Sequence, residues 1–192
     1  LCPNLCWIQG QFNFTELSLR YLAGCMQTYA WRSETVLVRL DKEGSQQWSA
    51  VIENQGYSPA VHYYENWGIQ TSDGGFFVAG TFYNDSYGNM IRAIKIDGRG
   101  NVIWNTIYSR SHGSILALFQ CPDGRYLILT HGGYVYCIDD QGRMAWEKSV
   151  VDQLTRKIAT DLVVNAAAQA PDGSILLAAT KYSRSENLNI AC

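Results

Sequence analysis

Three histidines are the residues best suited to catalysis or metal binding, and none lies in a spacing that favours either. His62, His112 and His131 stand far apart in the chain, and no H-x-x-x-H pattern or Cys-x-x-Cys-His haem signature occurs. The G-x-S-x-G elbow, the phosphate-binding loop and the dinucleotide fingerprint are also absent. The sequence therefore predicts a noncatalytic protein without cofactor or metal. A three-histidine site assembled across distant segments is the alternative that spacing leaves open.

Aspartates recur in two motifs whose carboxylates could supply calcium ligands. An Asp near a Gly is more typical of a tight turn, because its side chain bonds the backbone and the Gly accepts a positive φ. The loop 84–89 is the richest in oxygen ligands, yet it lacks EF-hand spacing. We therefore expect turns here and not calcium sites. The motif D-x-x-G-x-x-x-W begins at Asp41, Asp97 and Asp139, and the motif Q-x-x-D-G begins at Gln70, Gln120 and Gln169.

Trp48, Trp104 and Trp146 occupy the same position of the first motif. A ring of aromatic side chains that binds a sugar is one interpretation of this recurrence. Packing between neighbouring repeats is the other, because one large ring buries roughly 150–250 Å². Recurrence once per repeat favours packing, and we predict that these three residues are structural.

The two motifs interleave in constant order and define a repeat of four short strands. In the third repeat the apolar runs 115–120, 126–130, 134–138 and 144–148 are separated by turns rich in Asp and Gly. Such a four-stranded antiparallel meander has the size of a propeller blade. We therefore predict an all-β fold, a single β-propeller domain over residues 1–192 with four blades. The approximate repeats are 10–56, 57–112, 113–158 and 159–192.

The fourth repeat lacks its last strand and its D-x-x-G-x-x-x-W motif. A propeller closes when one terminus completes the sheet of the other, which removes exposed edges. The segment 5–9 could supply that strand, with Trp7 in the place of the repeat tryptophan. A disulfide from Cys192 to Cys2 or Cys6 could close the ring instead, and an open array is the remaining alternative.

The segment 57–67 places several aromatic residues in the connection between the first two repeats. Such connections line a propeller face, where rigid aromatic side chains are frequent contact residues. The alternative is that they cover the edges of the sheets. The candidate ligand- or partner-binding residues are His62, Tyr63, Tyr64 and Trp67.

Cysteines and two N-x-S/T triplets favour an extracellular, cell-surface or periplasmic location. The net charge of −2 and the absence of a basic run argue against a nucleic-acid partner, and no apolar stretch reaches the length of a membrane helix. Buried free thiols are the alternative to three disulfides. The candidate cysteines are Cys2, Cys6, Cys25, Cys121, Cys137 and Cys192, and the candidate glycosylation sites are Asn13 and Asn84.

The runs Ile69–Gly80, Ile94–Asp97 and Gly100–Trp104 resemble repeats of secreted bacterial and archaeal propeller-like proteins. They are also loosely similar to the tryptophan-docked blades of quinoprotein-type propellers. The cofactor ligands of quinoprotein dehydrogenases have no counterpart here, so that activity is not implied. The resemblance implies an extracytoplasmic scaffold, and a fold does not fix a function.

The sequence thus favours a noncatalytic interaction or structural module that assembles with itself or with another protein through propeller faces or an open sheet edge. A propeller that binds a glycan or small ligand is the first alternative. A fragment of a larger propeller enzyme is the second.

Overall fold

The computed structural model describes residues 21–29, 32–52, 62–84, 87–109, 111–150 and 161–182. These ranges contain 13 strands arranged in four antiparallel sheets. The strands are β1 (Tyr21–Tyr29), β2 (Arg32–Leu40), β3 (Gln46–Ile52), β4 (His62–Gln70), β5 (Phe76–Asn84), β6 (Gly88–Ile96), β7 (Val102–Ser109), β8 (Ile115–Gln120), β9 (Tyr126–Thr130), β10 (Tyr134–Ile138), β11 (Met144–Ser149), β12 (Asp161–Gln169) and β13 (Ile175–Tyr182).

Each sheet is a meander in which neighbours in sequence are neighbours in space. The first sheet contains β1–β2–β3, the second β4–β5–β6–β7, the third β8–β9–β10–β11 and the fourth β12–β13. Register is regular along the hairpins, with single irregularities such as the one between Tyr63 and Glu65, where Tyr64 is the extra residue of a bulge. The four sheets correspond in order to the four predicted repeats.

The central strands are apolar on both faces because sheets pack on either side of them. In β5, Phe77 and Ala79 face the third sheet, whereas Phe76 and Val78 face the first sheet. This two-residue alternation gives each face its own cluster. A third cluster joins the third sheet to the fourth, where Val164 is buried. The second and third sheets therefore hold most of the buried apolar side chains of the described ranges.

The predicted all-β, antiparallel class is confirmed. The second and third sheets have the predicted four strands, whereas three strands of the first sheet and two of the fourth fall within the described ranges. These described sheets do not close into a ring. The predicted closing segment 5–9, the cysteines Cys2, Cys6 and Cys192, and the candidate site Asn13 lie outside the described residues.

One element differs from the prediction. We expected a connection as far as Trp67, but β4 begins at His62 and pairs with β5 from that residue onward. Tyr and Trp are strong strand formers, and backbone pairing with β5 extends the strand beyond the apolar run that marked it in the sequence. Among the described residues, no helix has the length and apolar character that crossing a bilayer requires.

Candidate functional site

The three D-x-x-G turns have one geometry. In each, the Asp N–H donates to the carbonyl four residues later at 2.9 Å. The Asp Oδ1 accepts two further backbone N–H bonds of 2.8–3.0 Å. The glycines that end the turns, Gly44, Gly100 and Gly142, have φ values of 84°, 92° and 76°, which L side chains rarely adopt. The carboxylates thus cap their own turns. Within the described ranges, no three His, Cys, Asp or Glu side chains group to hold a metal ion.

Trp48 joins the first sheet to the second. Its Nε1 donates to the carbonyl oxygen of Gly98 at 3.1 Å, and its ring covers Gly100, where an added Cβ would lie 2.9 Å from Trp48 Cε3. Arg39 donates to the same Gly98 oxygen at 2.6 Å and lies 5.6 Å from the centroid of the Phe76 ring. The turn of the second sheet is therefore bound by an indole and a guanidinium from the first.

Trp104 repeats this contact between the second and third sheets. Its Nε1 donates to the carbonyl oxygen of Asp140 at 2.8 Å, and a Cβ added to Gly142 would lie 2.8 Å from Trp104 Cδ2. The Tyr108 hydroxyl donates to the Gly142 carbonyl at 2.8 Å, and burial raises the pKa of that phenol. In both contacts the indole binds the second turn residue and covers the fourth. We call this arrangement the docking contact.

The docking contact is incomplete at Trp146 and at Gly44. The Trp146 ring packs partly buried against the cluster between the third and fourth sheets, and Lys148 Nζ lies 4.9 Å from its centroid. Its Nε1 donates to no carbonyl among the described residues. A Cβ added to Gly44 would meet nothing within 4 Å in the same part of the chain. Within the described ranges, Trp146 therefore binds no turn, and the turn that ends at Gly44 is covered by no tryptophan.

An ion pair between a buried lysine and an exposed aspartate fixes the turn after β4. Lys95 Nζ lies 2.8 Å from Asp73 Oδ2 and 3.0 Å from Thr71 Oγ1, with the lysine side chain 4% exposed and the carboxylate 55% exposed. Partial burial alone would raise the pKa of Asp73, but hydrogen bonds from Lys95, Thr71 and the Gly75 N–H lower it to about 2. A Cβ at Gly75 would lie 2.6 Å from Lys95 Nζ, so glycine leaves room for the cation.

The third sheet uses another cation at the equivalent turn. Cys137 occupies the strand position of Lys95 and is buried, and Arg125 replaces the glycine. The Arg125 guanidinium binds Asp123 Oδ2, and these hydrogen bonds lower the pKa of Asp123. The turn carboxylate is therefore paired with a cation in both sheets. The cation comes from a strand in the second sheet (Lys95) and from the turn itself in the third (Arg125).

Glutamines of the second motif link neighbouring turns. The Ser72 N–H of the second sheet donates to Gln120 Oε1 of the third sheet at 2.8 Å. Gln169 holds the equivalent place in the fourth sheet, and its buried Nε2 has no partner in the described part of the chain. The residue that corresponds to Ser72 on its neighbour is Pro122, which has no N–H to donate to Gln169 Oε1. The unpartnered Nε2 is itself a donor, so the proline does not account for it. The turn that follows Gln169 lies against this proline, since a Cβ on Gly173 would be 3.0 Å from Pro122 Cδ.

The predicted ligand-binding residues share strand β4. Trp67 is partly buried and packs against the cluster between the second and third sheets. The backbones of His62 and Tyr63 pair with Tyr83 and Phe82. Tyr64 is the bulged residue beside them. A binding role for these four residues stays a prediction, and the packing of Trp67 gives its indole a structural contact that the sequence did not reveal.

The two histidines whose side chains are described make separate contacts. The His112 ring stacks on Tyr134 with centroids 3.8 Å apart, and its Nε2 lies 3.5 Å from Glu147 Oε1. His131 Nδ1 lies 3.3 Å from the Val164 carbonyl, which links the third and fourth sheets. Each histidine thus has its own structural neighbours.

The two cysteines whose side chains are described are thiols. Cys121 and Cys137 are both free, and burial raises the pKa of each, which disfavours the reactive thiolate. The sequence left disulfides and buried free thiols open for the six candidate cysteines, and Cys121 and Cys137 are free thiols. Cys25 lies in β1 opposite Val36, and Asn84 ends β5.

Neither the protein-family models nor the curated proteins contain a match to this chain. The features of the chain that bear on its function are therefore the docking contact and the fourth sheet, where that contact is missing among the described residues. Sequence reasoning missed Arg39, which reinforces that contact, and Lys95 and Ser72, which bind at the turn of the second motif. No local pattern marks these three residues, because their partners lie 22 to 59 positions away in the chain.

Proposed function

We propose that this chain is a noncatalytic, extracytoplasmic interaction module, built as a four-bladed propeller or as an arc of one. Its first three sheets are joined in series by indole-to-turn contacts, and such a rigid array can present an edge to a partner. The observation that carries the proposal is the contrast between the closed junctions of the central sheets and the exposed fourth sheet. The extracytoplasmic location is supported by sequence features alone, namely the cysteines and the glycosylation triplets.

The fourth sheet supplies the proposed binding edge. Within the described ranges β13 pairs only with β12. Its Leu176 side chain is 74% exposed, and Val163 on β12 is 38% exposed. An exposed edge strand with apolar side chains recruits another strand, because its unpaired N–H and C=O groups need partners. The occupant that we propose for this edge is a strand of another protein or of a second copy.

Light scattering after size exclusion, over a range of protein concentrations, tests the self-association form of this proposal. The unmodified chain should gain mass with concentration, and Leu176→Lys should shift it to monomer, because a charge on an edge opposes strand addition. Val51→Lys is the matched control, since Val51 is 58% exposed on the first sheet, and it should leave assembly unchanged.

Two results together would refute the edge as the functional surface. The chain would stay monomeric at every concentration, and cross-linking in the source extract would capture no partner whose binding Leu176→Lys abolishes.

A further inference from the structure

The connection between the second and third sheets is bound to both of them. On one side, the Ser111 N–H donates to the Asn89 carbonyl of the second sheet at 2.7 Å. On the other side, the His112 N–H donates to the Tyr136 hydroxyl at 3.1 Å, and the Thr130 hydroxyl donates to the His112 carbonyl at 2.9 Å. Two consecutive residues therefore join the start of β6 to the strands β9 and β10.

The side chain of His112 contacts an aromatic ring and a carboxylate of the third sheet. Its imidazole stacks on the Tyr134 ring with centroids 3.8 Å apart and an angle of 12° between the planes. Its Nε2 lies 3.5 Å from Glu147 Oε1. The face of an aromatic ring and a carboxylate both attract a cation more strongly than a neutral group. A charged His112 is therefore held more firmly on β10 and β11 than a neutral one.

Three other titratable side chains at this end of the sheet are neutral or have other neighbours. Burial raises the pKa of Tyr136 to about 12, so its phenol is neutral at the pH values at which histidines change charge. Lys148 follows Glu147 on β11 and points to the opposite face, where its Nζ lies over a tryptophan ring. The His131 ring contacts a carbonyl of the fourth sheet. Among the described residues, Glu147 is thus the charged side chain that His112 meets.

We propose that protonation of His112 strengthens the junction between the second and third sheets, so that this junction opens less readily at mildly acidic pH than at alkaline pH. The next residue toward the second sheet, Ser111, is bound to Asn89, and a connection held firmly on the third sheet therefore also holds the second.

The sign of this pH dependence follows from the two states of the chain. Histidines carry a charge below about pH 6.5 and are neutral above it. The folded chain places the carboxylate of Glu147 and the ring of Tyr134 beside His112, and the unfolded chain does not. The added stability is therefore present at mildly acidic pH and is lost as the pH rises through the range in which histidines titrate. This inference goes beyond the proposed function, because it needs neither a propeller arrangement nor a partner at β13.

Hydrogen exchange of single amides, followed by NMR and expressed as protection factors, tests this proposal. The N–H groups of Ser111 and His112 report the opening of the connection, because they donate to the second and the third sheet respectively. From pH 8 to pH 5.5 both protection factors should rise about two- to fivefold, which is the effect of a partly exposed ion pair. The Gly124 N–H donates to the Cys121 carbonyl at the opposite end of the third sheet and should not change.

Two variants separate the charge of the pair from its other contacts. Glu147→Gln keeps an acceptor but removes the charge, so the protection factors of Ser111 and His112 should lose most of their pH dependence. Glu43→Gln is the matched control, because it removes another exposed carboxylate, on the first sheet, and it should leave the pH dependence unchanged.

Equal protection of Ser111 and His112 at the two pH values would overturn the proposal. So would a rise at acidic pH that is as large in Glu147→Gln as in the unmodified chain. If Glu147→Gln does not fold, the comparison of the two pH values in the unmodified chain decides by itself. These measurements require only the folded chain, so failure of the proposed edge binding leaves this test intact.

Discussion

The junction between the second and third sheets and the junction between the third and fourth sheets use the same repeat positions with different outcomes. At the first of these junctions, Trp104 binds the Asp140 carbonyl and Gln120 accepts from the Ser72 N–H. At the second, Trp146 has no turn acceptor in the described ranges and Gln169 faces a sheet that offers Pro122. A repeat motif therefore makes a joint only where the neighbouring repeat supplies the matching backbone group.

The same contrast appears in exposure. Strands β8 to β10 are mostly buried, because sheets cover them on both sides, whereas most described side chains of β12 and β13 are exposed or half-buried. Stability is thus concentrated in the second and third sheets. A region with few buried apolar contacts opens at lower free energy than the core. This difference agrees with the proposed role of the fourth sheet as a binding edge.

The largest expected effect separates the two equivalent tryptophans. Trp104→Ala removes the indole hydrogen bond and the contacts with Phe77 and Tyr126, and should lower the free energy of unfolding by about 3 kcal/mol. Trp146→Ala should cost about 1–2 kcal/mol, because this partly buried indole donates no hydrogen bond to a turn carbonyl within the described ranges. Guanidinium unfolding of both variants measures the difference. Equal losses would show that the two junctions are equivalent, which contradicts the comparison.

An intermediate effect concerns pH and the turn that carries Ser72. The pKa of Asp73 is lowered from 3.8 to about 2 in the folded chain, so the stability it contributes is present above the unfolded-state value and is lost as the pH falls from about 4 through 2. Lys95→Met should remove much of this acid dependence. Stability measured from pH 5 to pH 2 should then fall less steeply than in the unmodified chain.

Arg125→Met is the control for that pH series, because it breaks the equivalent pair in the third sheet at an exposed site. We expect it to change the profile less than Lys95→Met does, since solvent screens exposed pairs. An unchanged acid profile in Lys95→Met would mean that this lysine does not hold the Asp73 turn.

The smallest expected effect comes from a substitution that adds a hydrogen bond at the junction between the third and fourth sheets. Pro122→Ser restores a backbone N–H that can donate to Gln169, and one such bond stabilises by about 0.5–1.5 kcal/mol. Loss of the proline offsets part of this gain through the unfolded chain. Thermal unfolding should show a small net increase that Gln169→Ala abolishes. The reverse change, Ser72→Pro, should destabilise, and a gain there would contradict the proposed role of the N–H.

Much of the fold follows from the sequence, because its turns are specified locally. Asp and Gly at fixed offsets close the hairpins of the two motifs within five residues, so the repeated pattern places most strands correctly. The start of β4 was missed, since cross-strand pairing of aromatic residues, and not an apolar run, extends that strand. Local pattern also predicted a structural position for Trp48 and Trp104.

The acceptors of those indoles could not be predicted in the same way. The docking contacts join residues 50 and 36 positions apart, and the acceptors are backbone carbonyls that any residue type carries. The burial of Lys95 could not be predicted either, because it depends on the Asp73 carboxylate that pairs with the cation and on the space that Gly75 leaves beside it. Long-range packing decides these contacts, and sequence spacing does not record it.

Indole N–H exchange, followed by NMR on tryptophan-labelled protein with single Trp→Phe variants for assignment, tests the docking account most directly. The Nε1 protons of Trp48 and Trp104 should exchange slowly because each donates to a turn carbonyl, and that of Trp146 should exchange fast. Fast exchange at Trp48 and Trp104, or protection of Trp146 equal to theirs, would contradict this account. It holds that Trp48 and Trp104 are bound to turns of the neighbouring sheets and that Trp146 is not.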